Sequence, residues 1–159
     1  MNIISFDNII IDPDNYIKDI LSNNFCDVHD GEHVFNGIQQ RGDDEFSAYV
    51  LSLFHGYEVT FNFIRKSCIG QEEPNYIHSD EMMGDITAIL YLSKEHPSDD
   101  GTTMYDDERK PLARIFSKFN RMVAFDSSIL HSRNIFENFG EEDKSRLIQV
   151  IFLKHILIK

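Results

Sequence analysis

In a chain of 159 residues, 27 Asp and Glu stand against 15 Lys and Arg, leaving a formal net charge of −12. That balance argues against a general polyanion binder, which needs clustered Lys and Arg for phosphate contacts, but it says little about a small substrate. The length suits one domain with a sizeable core, and 42% hydrophobic with 12% aromatic residues is a globular composition.

The two cysteines, Cys26 and Cys68, fall in no C-x-x-C or zinc-like spacing, and nothing marks a secreted, disulfide-stapled scaffold. Neither a basic segment followed by an apolar one at the N-terminus nor an apolar run of membrane-spanning length is present. The expectation is a soluble, cytoplasmic protein without membrane association.

Ile3 to Ile11 is apolar and β-branched around Asp7-Asn8, which predicts two short strands meeting at a turn. Asp12-Pro13 supplies an N-cap and a first-turn proline for a helix whose apolar face is Tyr16, Ile17, Ile20 and Leu21, ending near Asn23-Asn24. A loop from Cys26 to Glu32 leads to a strand around His33–Gln40. Gly42-Asp43-Asp44 opens a second helix, Glu45–Leu53, closed by His55-Gly56.

From Tyr57 the period changes. Tyr57, Val59, Phe61 and Phe63 alternate with Glu58, Thr60 and Asn62, as on a half-buried strand. Further strands are expected over Asp85–Ser93, Thr102–Tyr105, Arg121–Phe125, Ile129–Ser132 and Arg146–Leu153, with a linker of part-helical character over Lys110–Asn120. Two helices followed by many short strands indicate an α+β domain, mainly β and dominated by antiparallel sheet.

The chemistry concentrates in Tyr76-Ile77-His78-Ser79-Asp80. On an extended segment residues two apart face the same way, so His78 and Asp80 present an imidazole and a carboxylate together. With His131 as second imidazole they make the two-His, one-carboxylate set that leaves positions open on Fe(II). The dyad alone is weak, since this composition yields about one H-x-[DE] pair by chance. His29 and His33, four apart, would form a second metal site only on a helix, and Gly31 with its acidic neighbours predicts a solvated loop instead.

The dyad gains weight from its context. Together with Gly101-Thr102-Thr103-Met104-Tyr105, Asn120-Arg121-Met122-Val123-Ala124-Phe125 leading to His131, and Arg146-Leu147-Ile148-Gln149-Val150-Ile151-Phe152, it resembles the Fe(II)/2-oxoglutarate-dependent oxygenases. It looks closest to their prolyl-hydroxylase-like branch, among small bacterial and phage members, over roughly residues 57–154. The resemblance implies a double-stranded β-helix, a cupin-like jelly roll, with the N-terminal helices packed on one sheet. It divides residues 1–159, one oxygenase domain, into a helical support region (1–56) and a β-helix core (57–154).

It also implies roles. His78, Asp80 and His131 would hold Fe(II) and carry catalysis, with 2-oxoglutarate as co-substrate and O2 as oxidant. A guanidinium suits the far carboxylate of 2-oxoglutarate. Arg146 is the first choice, although its fifteen-residue distance from His131 exceeds the common prolyl-hydroxylase spacing; Arg133 is the rival and a candidate for substrate contact. Tyr76 either hydrogen-bonds 2-oxoglutarate or packs as an aromatic at the rim. Related halogenases carry a small residue at the carboxylate position, so Asp80 points to hydroxylation or desaturation. The expected reaction hydroxylates a protein or peptide side chain, or a small molecule, releasing succinate and CO2. A non-catalytic metal- or ligand-binding jelly roll and a cupin-like metalloenzyme without 2-oxoglutarate are the competing readings. The loops Cys68–Pro74 and Lys94–Gly101 are candidates for substrate specificity.

Overall fold

Both helices start where the sequence supplies their caps. In the computed structural model, which describes residues 2–71, 76–135 and 137–156, helix α1 (Pro13–Leu21) has proline at its start, where no N–H is required. The Asn15 N–H donates to the Asp12 carboxylate at 3.2 Å. Helix α2 (Glu45–Leu53) carries a capping box in which Asp44 accepts from the Ser47 N–H at 2.9 Å. The Ser47 hydroxyl accepts in return from the Asp44 N–H at 2.8 Å.

The strands are β1 (Ile3–Asp7), β2 (Cys26–Asp30), β3 (His33–Gln40), β4 (Tyr57–Ser67), β5 (Ile86–Tyr91), β6 (Gly101–Tyr105), β7 (Pro111–Phe116), β8 (Arg121–Asp126), β9 (Leu130–Arg133) and β10 (Arg146–His155). Seven pair antiparallel in the order β1-β8-β5-β10-β4-β3-β2, and three more in the order β7-β6-β9. The sheets face each other across Ile89, Tyr91, Met104, Val123, Phe125, Val150 and Phe152. The outer face of the larger sheet, with Ile64, Leu90, Met122 and Ile151, is covered by Ile20 of α1 and by Phe46 and Val50 of α2. Every residue of β5 is buried, because both of its faces are covered. The fold is mainly β, with antiparallel sheets and helices on one of them, as the sequence leads one to expect.

Four local expectations change. Only one strand forms before α1: the chain leaves β1 at Asn8, whose φ is 56°, and Ile9 and Ile10 turn into the core. There the Asn120 amide replaces a strand partner, accepting from the Ile10 N–H at 3.0 Å and donating to its carbonyl at 2.9 Å. The expected loop after Cys26 is instead a hairpin, β2–β3, turning at Gly31 with φ 52°. In its register His29 lies opposite Val34 and His33 opposite Asp30, so the two imidazoles occupy opposite faces and share no metal. The segment after Lys110 is strand β7, with Ala113 and Ile115 inward and Leu112 and Phe116 exposed. Pro111 is tolerated because β7 is an edge strand, which needs no donor on its open side. Finally, the H-x-D segment joins the smaller sheet through a single bridge rather than as a regular strand. The candidate specificity loop Cys68–Pro74 lies partly outside the described residues, at 72–74.

A buried polar cluster holds the helices to the sheet. Asp44 Oδ2 accepts from Arg41 Nε at 3.0 Å and from Gln149 Nε2 at 2.9 Å, and the Tyr16 hydroxyl lies 3.1 Å away. Gln149, on β10, also donates to Asn62 of β4 at 2.7 Å. Burial acts to raise the Asp44 carboxyl, but the Ser47 N–H, Gln149 and Arg41 together outweigh it and hold the group below its ordinary value. A carboxyl depressed in the folded state stabilises fully above its unfolded pKa and loses that contribution as pH falls through the folded one. Asp44→Asn should therefore cost about 2 kcal/mol at neutral pH. In urea unfolding, the gap between wild type and variant should close only below about pH 4.

Candidate metal centre

The centre is assembled by main-chain hydrogen bonds before any side chain is considered. The His78 N–H donates to the His131 carbonyl at 3.0 Å, and the His131 N–H donates back to the His78 carbonyl at 2.8 Å. Two residues on, the Asp80 N–H donates to the Ser127 carbonyl at 2.8 Å, laying the H-x-D segment along β9 and the turn before it. The extended geometry then points His78 and Asp80 to the same side.

Each imidazole is fixed by its Nδ1, which lies 2.9 Å from a main-chain carbonyl: Tyr76 for His78, Ile129 for His131. A carbonyl only accepts, so Nδ1 carries the proton of a neutral ring and Nε2 is the nitrogen left available to a metal. Both Nε2 atoms converge on Asp80, at 3.5 Å from Oδ1 for His78 and 3.0 Å from Oδ2 for His131. One donor atom from each of the three residues lies within 4.8 Å of the others, and among the described residues no other His, Cys, Asp and Glu group comes together this way.

Burial is graded across the set. His131 is buried, with the Phe125 ring packed edge-on at 4.9 Å, whereas His78 lies nearer solvent beneath Tyr76. Burial would raise the Asp80 carboxyl, yet with no cation bound the protons that His131 and His78 direct at it from Nε2 outweigh burial and hold Asp80 far below the usual carboxylate range. Burial would lower His78, but the Asp80 carboxylate and the Tyr76 carbonyl together raise it. The site is thus an anion flanked by two imidazoles, an arrangement in which a divalent cation replaces shared protons.

Two residues absent from the expected set support Asp80. Thr87 Oγ1, on the inward face of β5, donates to Asp80 Oδ2 at 3.3 Å, and Ser127 Oγ lies 2.9 Å from Thr87 Oγ1. Ser127 reads in sequence as a turn residue, and Thr87 as one polar position in an apolar strand. Nothing local marks either as a support.

The other candidates are distributed around this centre. Tyr76 is 51% exposed, its ring tilted against that of His78 at 5.0 Å. Arg133 follows His131 by two on β9, opposite Thr102 and facing inward, with its Nε and Nη2 shielded from solvent. Arg146 opens β10 on the inward face and is buried, but its Nε donates to the equally buried Asp100 at 3.1 Å. The expected anion holder therefore already has a carboxylate partner, while its Nη donors hydrogen-bond to no described residue. Beside it on β5, the Tyr91 hydroxyl is 2.6 Å from Thr102 Oγ1, and burial pushes it up to about 12, keeping it a neutral donor. Asp100 and Tyr91, like Thr87 and Ser127, are functional candidates that sequence reading missed; forty-six residues separate Asp100 from Arg146, too far for any local signal. Another inward guanidinium, Arg65, stands on β4 opposite Ile148 and over the Phe35 ring at 5.5 Å.

The sequence matches no protein-family model and no curated protein. The structure does have solved likenesses. It aligns with the non-heme α-ketoglutarate-dependent epimerase SnoN of nogalamycin biosynthesis at a TM-score of 0.63 and 11% identity, covering 96% of this chain and 77% of that one. An oxidoreductase of the 2OG-Fe(II) oxygenase family from Burkholderia pseudomallei gives a TM-score of 0.62 at 10% identity, covering 96% and 84%. HygX from Streptomyces hygroscopicus, solved with nickel, 2-oxoglutarate and hygromycin B, gives 0.63 at 11%, covering 99% and 84%. At such identities the likeness is one of architecture: the chain folds as a double-stranded β-helix, the fold of these 2-oxoglutarate-dependent enzymes.

Proposed function

We propose that the chain is an Fe(II)- and 2-oxoglutarate-dependent oxygenase that hydroxylates a side chain of a protein or peptide, or a small molecule. The observation that carries this reading is the convergence of two Nε2 atoms and one carboxylate, with both Nδ1 atoms committed to main-chain carbonyls. Neutral imidazoles and a carboxylate suit Fe(II), and three protein ligands would leave room on it for the co-substrate and O2. When bound, the iron and 2-oxoglutarate supply oxidative decarboxylation, which turns O2 into an oxidant for a C–H bond and leaves succinate and CO2. Support for the prolyl-hydroxylase-like branch is the sequence resemblance.

The chain's own residues have separable tasks. His78, Asp80 and His131 hold the metal, and Thr87 with Ser127 fixes the orientation of Asp80. Arg146 offers its Nη donors to the far carboxylate of the co-substrate, with Asp100 fixing the guanidinium plane through Nε. The neutral Tyr91 hydroxyl, diagonal to it across the β5–β10 pair, is a further donor. Arg133, on the ligand-bearing strand, is the rival for the carboxylate and otherwise a substrate contact.

One observation favours a second reading. The Arg146–Asp100 pair is neutral as a unit, as a metal-binding jelly roll that uses no 2-oxoglutarate would require. The two readings separate on addition of 2-oxoglutarate to the Fe(II)-loaded protein without oxygen. An oxygenase develops a visible charge-transfer band and forms succinate once O2 is admitted; absence of both overturns the assignment.

Three outcomes are expected of the site. Alanine at His78, Asp80 or His131 should each abolish stoichiometric Co(II) binding, read by its visible absorption, whereas Thr87→Val should weaken it only about tenfold. Because the Asp80 carboxylate and the Tyr76 carbonyl raise His78, protons compete for its imidazole, so Co(II) affinity should fall as the solution is acidified, read by the same absorption across a pH series. Removing Arg146 alone would strand a buried carboxylate, so the informative variant is the neutral pair Arg146→Gln/Asp100→Asn. It should weaken 2-oxoglutarate binding by at least about tenfold, and by more than Arg133→Gln does; the reverse ranking reassigns the carboxylate to Arg133.

A further inference from the structure

One directly opposed row of residues crosses the inward face of the larger sheet at the level of the metal centre. Phe125 on β8 faces Thr87 on β5, Thr87 faces Phe152 on β10, and Phe152 faces Phe61 on β4. The row starts among the ligands, since Phe125 packs on His131 and Thr87 donates to Asp80. It ends differently. Phe125 and Phe152 are 1% and 5% exposed, but Phe61, on the same face, is 50% exposed.

Phe61 is held in that position. The pairing of β4 with β10 shifts between Phe152 and Leu153, which leaves Thr60 as an extra, unpaired residue, a β-bulge. Such bulges re-aim the neighbouring side chain. Thr60 Oγ1 is 2.8 Å from the Met83 carbonyl and 3.1 Å from that of Phe152. Met83 ends the turn that follows Asp80, its N–H donating to the Asp80 carbonyl at 2.8 Å. One hydroxyl therefore joins the bulge beneath Phe61 to the turn that carries the metal-binding carboxylate. The Phe61 ring meets Phe152 edge-on, at 84° and 6.4 Å, leaving ring surface open.

We propose that Phe61 is the substrate anchor, and that the substrate bears an aromatic ring or a comparably flat apolar group. This rests on the oxygenase reading of the centre. The ring of the substrate lies on the open surface of Phe61. Two strand spacings separate Phe61 from Thr87, so the anchored group sits on the order of 10 Å from the metal ligands. Binding energy is gathered there, away from the carbon that reacts, and Thr60 ties its position to that of Asp80. The occupant is the substrate of that centre, because the surface belongs to the inner wall of the β-helix and is continuous with the ligand set.

The test uses a neutral apolar fluorophore, N-phenyl-1-naphthylamine, on the full chain loaded with Mn(II). The probe should bind with enhanced emission, and Phe61→Ala and Phe61→Ser should each weaken it about tenfold while Phe61→Tyr retains it. Thr60→Val should weaken the probe several-fold with Phe61 still present, and Thr60→Ser should restore it. Relaxation of the probe's protons by Mn(II) should place it about 10 Å from the metal. Unchanged affinity in Phe61→Ala, a probe more than twice that far from Mn(II), or a wild-type dimer that Phe61→Ala dissociates would each overturn the proposal. Failure of Mn(II) to bind would overturn the metal assignment instead, and the fluorescence comparison would still decide the role of Phe61.

Discussion

The reciprocal hydrogen bonds between His78 and His131 are the constraint on which the centre depends. Both are main-chain bonds, so they set the two imidazoles side by side whatever the side chains do, and the rings lie 4.4 Å apart. The next contact, from the Asp80 N–H to the Ser127 carbonyl, adds the carboxylate in register. A bidentate or facial arrangement of charged and neutral donors in a partly buried site costs desolvation and ordering. Here the ordering is done by the backbone, which must satisfy its N–H and C=O groups in any case.

Around that constraint the inward face of the larger sheet is layered. At the level of His131 and Asp80 the opposed row is mostly aromatic. The next row, Val123, Ile89, Val150 and Phe63, is apolar throughout. Beyond it lie Arg121, Tyr91, Ile148 and Arg65, and then Arg146 with its partner Asp100. An apolar band thus lies between two polar ends. Such a band excludes water from between them and strengthens whatever electrostatic contacts each end makes.

What was legible in the sequence was local. Asp12-Pro13 and Gly42-Asp43-Asp44 gave both helix starts because capping chemistry acts within four residues. The apolar runs gave β5, β8 and β10, and the alternation after Tyr57 gave β4. What failed was set by partners far along the chain. Ile9 and Ile10 look like a strand, but the Asn120 amide takes their hydrogen bonds. β2 has Val28 as its single large apolar residue and forms because β3 pairs with it. At the centre, the H-x-D spacing and His131 could be found from sequence, since geometry on an extended segment follows from spacing alone. The supports could not: Thr87 and Ser127 become meaningful only when β5 and the turn after β8 meet the H-x-D segment, and Asp100 only when the residue before β6 meets the start of β10.

The cluster around Gln149 has a bearing on the opposite side of its strand. Side chains on β10 alternate, so Gln149 points toward the helices while Arg146, Ile148, Val150 and Phe152 point inward. A slip of β10 by one residue against its neighbours would exchange those sets, driving Gln149 between the two sheets and Arg146 under the helices. An unbroken apolar strand would resist such a slip poorly, because Leu147, Ile148, Val150 and Ile151 can fill either side. Gln149 cannot: its amide is committed to Asp44 and Asn62, with the Tyr16 hydroxyl 2.5 Å from its carbonyl oxygen. One polar side chain on the helix side thereby acts as a register lock for every inward-facing residue of the strand.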